Sequence, residues 1–287
     1  MDRFDLDTAY WLARAARAAY PDRLHDGPGR LGVERVRVFE RGVVAGFAGR
    51  WGESIVVAFQ GTPTPNKGGQ PRQLAEALAT GLDTGLTHQR GVPGAIHRGF
   101  ARALGTLTTL MPELLRSVSD TRHRPHVWLT GHSLGGALAI LAAQCVAGRP
   151  GPLPCVYTYG APRVGNRAFG QGYAPVHYRL ERRKDLVPYA FPLYTAGFLW
   201  GAWHPLLLPL SLPFSGLPGR YKHTGIRCCL DGGRLDIGGT FEPLVDPLDM
   251  VAARLGREHN IDTYLADLEK KPRITYRAVV QEVARAG

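Results

Sequence analysis

The chain predicts an α/β fold, with a mostly parallel central sheet flanked by helices, and three observations carry that expectation. Residues 126 to 142, HVWLTGHSLGGALAILA, run from a β-type apolar stretch (Val127, Trp128, Leu129) through a glycine-rich turn into strong helix formers from Ala137 to Ala142. Short apolar stretches rich in Val, Ile and Tyr recur on both sides of this unit, alternating with amphipathic helical stretches and Gly- or Pro-rich turns. The 287 residues, 44% of them hydrophobic, suffice for a sizeable core, in one large α/β domain or two smaller ones.

Taken in order, Leu6, Ala9, Tyr10, Ala13, Ala16, Arg17 and Tyr20 recur near a helical period, and Pro21 stops that opening helix. Two strands follow, Val33 to Phe39 and Val43 to Ala48, around an Arg41-Gly42 turn. Residues 53 to 60, ESIVVAFQ, are apolar enough for a strand buried on both faces, and they end in Gly61-Thr62-Pro63. The stretch from 63 to 70 is polar and rich in Gly and Pro, and 73 to 80 is a short amphipathic helix; together they read as a lid or as a surface excursion. Ile96 to Phe100 begin a long helix that runs to Val118, with His97 in a capping or local hydrogen-bonding role.

Beyond the 126 to 142 unit, strands are expected at 155 to 159 and 176 to 180, then at 221 to 230 and 234 to 237 around the hairpin signal Asp231-Gly232-Gly233. Helices are expected at 250 to 255 and from 258 onward. Residues 191 to 217 contain no Asp, Glu, Lys or Arg, but Pro192, Pro205, Pro209 and Pro213 divide them into pieces too short to span a bilayer. This apolar insertion reads either as an interfacial or lid-like segment anchored by Trp200 and Trp203, or as a buried loop.

The net charge of +11 favours anionic partners, yet the basic residues are scattered and no nucleic-acid-binding signature accompanies them. The four cysteines are too few for a disulfide scaffold, no zinc-ligand spacing occurs, and no cofactor motif is present. The N-terminal residues mix charges from the start and form no secretory apolar core, so a cytoplasmic or peripheral-membrane location is expected.

The chemistry concentrates at Ser133, the apex of G-x-S-x-G. Small flanking residues let the chain turn sharply from strand to helix, which exposes the hydroxyl beside the N–H of Leu134 at a helix N-terminus. The competing reading makes Ser133 a simple helix cap. Thr62, in the turn after a buried strand, is a candidate second oxyanion donor. Asp185 follows a strand end, where an orienting carboxylate is expected; Glu181 is its competitor, and a surface ion pair with Arg182 or Arg183 is the alternative role. Of His204, His223 and His259, only His259 combines a loop-to-helix junction with the order Ser, acid, His; His223 is expected within a strand.

These residues sit in a series of motifs: FQGT at 59 to 62, IHRGF at 96 to 100, TGHSLGGALA at 130 to 139, YTYGAPRVGN at 157 to 166, KDLVP at 184 to 188, YKHTG at 221 to 225 and H-x-x-x-x-Y at 259 to 264. In them the chain resembles the class 3, fungal-type lipases of the α/β-hydrolase superfamily, from Tyr10 to Tyr264. The resemblance implies a single α/β-hydrolase domain, Ser133 as nucleophile, Asp185 as acid, His259 as base, and Thr62 with Leu134 as the oxyanion hole. It implies hydrolysis of lipid or other apolar acyl esters, with no metal or cofactor; peripheral contact with a lipid surface through 191 to 217 is what the interfacial reading of the apolar insertion would add. A phospholipase A1 or acyltransferase on the same residues, or an inactive membrane-surface adaptor, are the alternatives. Gln60 stands where the family has Arg, and the stretch after Thr62 lacks the family's tryptophan-containing lid pattern.

Overall fold

The structure, a computed structural model, describes residues 3–83, 85–119, 125–148, 153–185, 187–188, 221–238 and 258–276. Its centre is a nine-stranded sheet in the order β1 (Glu34–Arg41), β2 (Val44–Trp51), β3 (Ser54–Phe59), β6 (Val127–His132), β7 (Cys155–Tyr159), β8 (Val176–Arg182), β9 (Ile226–Asp231), β10 (Arg234–Ile237), β11 (Arg273–Tyr276). The five strands from β3 to β9 run parallel, while β1–β2, β2–β3 and β9–β10 are antiparallel. A separate small hairpin joins β4 (Leu86–His88) to β5 (Ala95–His97). This is the expected α/β architecture.

Parallel strands hidden on both faces need continuous apolar runs, and β3 and β7 are buried at nearly every position. On one face lie α4 (Arg98–Val118) and α5 (Leu134–Ala147), over Val57, Phe59, Leu129 and Val156. On the other lie α1 (Leu6–Ala18) and α7 (Ile261–Glu269), over Val56, Ala58, Tyr157 and Tyr159. The short α2 (Gly27–Arg30), α3 (Pro71–Leu82) and α6 (Arg167–Gly172) complete the helices among the described residues. Alanines let α1 approach closely enough for Thr130 to donate to the Leu12 carbonyl at 3.2 Å and for the Tyr159 hydroxyl to donate to that of Ala9. Arg17 joins α1 to α7 through Asp262 at 2.9 Å.

Four expectations change. Residues 95 to 97 form β5, and the helix begins only at Arg98, because the main chain of His97 is engaged by the Val164 carbonyl at 2.8 Å. The strand expected from 221 begins at Ile226, since Gly225 at φ +74 turns the chain immediately before it. His223 therefore lies outside the strand that was expected to hold it, with its Nε2–H donating to the Pro188 carbonyl at 2.6 Å. The sheet does not end at Ile237, for β11 adds a parallel strand at its edge. The apolar insertion at 191–217 and the helix expected at 250–255 lie outside the described residues. No helix among the described residues is long and apolar enough to cross a membrane.

Candidate active site

Parallel strands deliver their following loops to one end of the sheet, and four of these loops meet there. The register sets Phe59 opposite Gly131 and His132 opposite Tyr159, so the turns carrying Thr62, Ser133 and Gly160 leave adjacent strands side by side. Asp185 follows β8, and His259 comes from the other end of the chain, just ahead of α7.

Ser133 holds φ +56 and ψ −127, a conformation unusual for any residue with a side chain. The glycines around it make this possible by close approach. A Cβ on Gly131 would fall 2.3 Å from the Gly135 backbone, and one on Gly135 would fall 2.3 Å from the Phe59 carbonyl. The Ser133 N–H donates to the Tyr159 carbonyl at 2.9 Å, and its side chain makes no capping bond to α5, against the simple-cap reading. The hydroxyl instead donates to His259 Nε2 at 2.8 Å. The opposite ring nitrogen, Nδ1, donates to Asp185 at 2.9 and 3.0 Å.

Asp185 is fully buried, and it also accepts the Val187 N–H at 3.0 Å and the Tyr264 hydroxyl at 2.6 Å. The surface ion-pair role is not what the chain adopts. Arg182 pairs with Glu258 and Asp267, and Arg183 pairs with Asp231. Glu181, the competing acid, is buried among Arg179, Arg227 and His223 and makes no contact with His259. Gly160, at φ +57, leaves room for the pair: a Cβ there would meet Asp185 Oδ2 at 2.6 Å and His259 Nδ1 at 3.0 Å.

Leu134 opens α5 directly after Ser133, which puts its N–H at the N-terminus of that helix. Thr62 stands three residues past the end of β3, half-buried at the same end of the sheet. Hydrogen bonds thus join Ser133, His259 and Asp185, with Leu134 next to Ser133 in the chain and Thr62 at the same end of the sheet. His97, by contrast, caps α4 by accepting the Phe100 N–H at 3.3 Å, and burial lowers its pKa to about 4.

Pattern reading missed the partners behind His259. The Tyr20 hydroxyl donates to His132 Nδ1 at 2.7 Å, and His132 Nε2–H donates to the His259 carbonyl at 2.6 Å. A carbonyl only accepts, so the His132 proton is held on Nε2, and burial keeps this ring neutral with a pKa well below the usual histidine value. Burial also raises the Tyr264 hydroxyl well above the usual tyrosine value, with the adjacent Asp185 charge acting in the same direction. Tyr264 had a visible signal in H-x-x-x-x-Y, whereas Tyr20 and His132 look like ordinary core residues in one dimension. Among the described residues no cluster of His, Cys, Asp or Glu is arranged to hold a metal.

A family profile described as Lipase (class 3) matches residues 56–195, a span that includes Thr62, Ser133, Leu134 and Asp185 and stops short of His259. Over 119 residues the chain is 38% identical to Toxin TseL of Vibrio cholerae serotype O1, covering 40% of this chain and 18% of that protein. It is 29% identical over 144 residues to secreted mono- and diacylglycerol lipase 1 of Fusarium solani, covering 49% and 36%. The chain thus spans between about a fifth and about a third of the length of these two relatives. The solved lipase of Rhizopus microsporus var. chinensis matches in fold, with a TM-score of 0.54 at 22% identity over 78% of this chain and 74% of that one.

Proposed function

We propose that this chain, which belongs to the class 3 lipase family of α/β-hydrolases, is a serine hydrolase of glycerolipid acyl esters. The observation that carries the reading is the line of hydrogen bonds from Ser133 through His259 to buried Asp185. In this reading Ser133 Oγ attacks the ester carbonyl carbon while His259 Nε2 takes its proton. Asp185 holds the Nδ1 proton and stabilises the imidazolium. The N–H groups of Leu134 and Thr62 receive the charge that develops on the carbonyl oxygen, and the α5 N-terminus adds its dipole. Collapse expels the alcohol, which takes the proton from His259. Water, deprotonated by the same imidazole, then releases the acid and regenerates Ser133.

The substrate class follows the names of the relatives, which include mono- and diacylglycerol lipases and a chloroplastic phospholipase A1 of Arabidopsis thaliana. Contact with a lipid surface is proposed on sequence alone, from the uncharged, Trp-containing stretch 191 to 217. Leu207→Glu should then reduce hydrolysis of vesicular substrate and spare hydrolysis of a soluble short-chain ester. Equal loss on both would remove the surface-contact part.

Covalent labelling tests the core of the proposal. A fluorophosphonate probe should mark the wild-type protein and leave Ser133→Ala unmarked, and that variant should lose on the order of 10⁴-fold or more in ester hydrolysis at an unchanged melting temperature. Persisting hydrolysis in Ser133→Ala would sink the assignment.

A further inference from the structure

The loop that leaves the Thr62 turn ends on a lysine in an unfavourable place. Lys67 closes the 3-10 turn Pro65–Lys67 and is only 8% exposed, yet no carboxylate among the described residues pairs directly with its ammonium. Burial pulls its pKa down; Asp262 and Asp22 act against that, and Arg17 acts with it. A buried ammonium is costly to hold away from water, so the two contacts it makes among the described residues are informative. Its Nζ donates to Asn260 Oδ1 at 2.9 Å, and it lies 4.6 Å from the centroid of the Tyr20 ring.

Both contacts lead to His259. Asn260 is the next residue in the chain, and its side chain also caps α7 by accepting the Asp262 N–H at 3.1 Å. Tyr20 holds His132, and His132 holds the His259 carbonyl. Lys67, Asn260, His259, His132 and Tyr20 therefore form a closed circuit that grips the backbone of His259 at its own carbonyl and at the following residue. The circuit is anchored on its far side, where the Lys67 carbonyl accepts the Asp22 N–H at 3.2 Å.

We propose that Lys67 is a positioning residue for His259, locking the loop that carries Thr62 to the backbone of the base so that the two hold one fixed separation. The inference rests on the serine-hydrolase reading and adds a residue which that reading does not use. Oxyanion donor and base come from chain segments nearly two hundred residues apart in sequence. Small displacements between such groups are expensive: a shift of about 1 Å can cost about 100-fold in rate.

The test compares Lys67→Met, which keeps the stem and removes charge and donor, with Lys67→Arg, which keeps both. On soluble 4-nitrophenyl butyrate, Lys67→Met should lower kcat by about 10- to 100-fold and leave KM within about twofold, with fluorophosphonate labelling slowed in proportion. Lys67→Arg should recover most of the loss. Asn260→Ser, which retains a capping hydroxyl and loses the reach to Lys67, should reproduce the kcat defect, and the double variant should be no worse than the worse single one. A kcat within about twofold of wild type in Lys67→Met, additive losses in the double variant, or a defect that tracks the melting temperature and is not rescued by arginine would each overturn the proposal. An inert, unlabelled wild-type protein would instead sink the hydrolase reading. Lys67 is then judged by the proton resonance of His259 Nδ1 in Ser133→Ala, which Lys67→Met should shift or broaden; an unmoved resonance overturns it.

Discussion

At Asp185 three donors converge on one buried carboxylate, and each does a different job. The Val187 N–H fixes the loop, the Tyr264 hydroxyl fixes one oxygen, and the remaining capacity faces the His259 ring. Asp185→Asn should keep the fold while reversing the donor and acceptor that His259 meets, with kcat falling about 10⁴-fold in steady-state assays. Tyr264→Phe removes one bond to a charged group, so kcat should fall about tenfold, equivalent to about 1.4 kcal/mol. Unchanged turnover in Tyr264→Phe would mean the hydroxyl only fills space. Glu181 gives the contrasting case. Its charge holds Arg179 and Arg227 in the interior, so Glu181→Gln should cost about 3–5 kcal/mol in denaturant unfolding and leave the activity of the folded fraction intact. Loss of activity without loss of stability would instead restore Glu181 as a candidate acid.

The elbow is set by how closely a strand and a helix can pass. Gly135→Ala would drive a methyl group into the Phe59 carbonyl, separating α5 from the end of β3 and moving the Leu134 N–H away from the Thr62 turn. Overpacking of this kind costs about 1–3 kcal/mol, and the damage should extend to kcat because the two N–H groups proposed to receive the oxyanion, those of Leu134 and Thr62, are on the segments that meet at that contact. Gly29→Ala is the control, since a Cβ there meets nothing and its melting temperature should hold or rise slightly. If the two variants melt alike, the close approach is not what holds the elbow.

For the molecule as a whole, the interior carries several histidines that folding keeps neutral. Burial is the leading cause in each case, taking His97 to about 4 and His177 to about 3, and holding His132 and His223 well below the usual value. The unfolded chain protonates these rings near pH 6.5, while the folded chain resists until much lower pH. Their contribution to stability is therefore complete above about pH 6.5 and is lost as pH falls toward 4, at up to about 1.4 kcal/mol per ring per pH unit. Thermal and urea melts between pH 8 and pH 5 should show stability declining on the acid side with proton uptake on unfolding. His97→Asn should lower that uptake by up to about one proton; a stability that is flat or rising toward pH 5 contradicts the account.

Residues 126 to 142 specify their own strand, turn and helix, because apolar periodicity, glycine placement and helix propensity are local properties that agree with one another there. The same holds for β3, β7 and the hairpin at Asp231-Gly232-Gly233, and the motif positions 62, 133, 134, 185 and 259 could be singled out one by one. Their distances could not, because those depend on the order of strands in the sheet and on the register that sets Phe59 beside Gly131. Short edge elements were equally silent: β11 is four residues whose pairing is decided by β10, not by any pattern of its own. The circuit behind His259 is the clearest case. Tyr20, Lys67, His132 and Asn260 carry no shared periodicity, and only the packing of α1 and α7 against one face of the sheet brings an ammonium, a phenol, an imidazole and an amide within hydrogen-bonding reach. Side-chain chemistry is written residue by residue, but burial and contact between distant residues are properties of the closed fold.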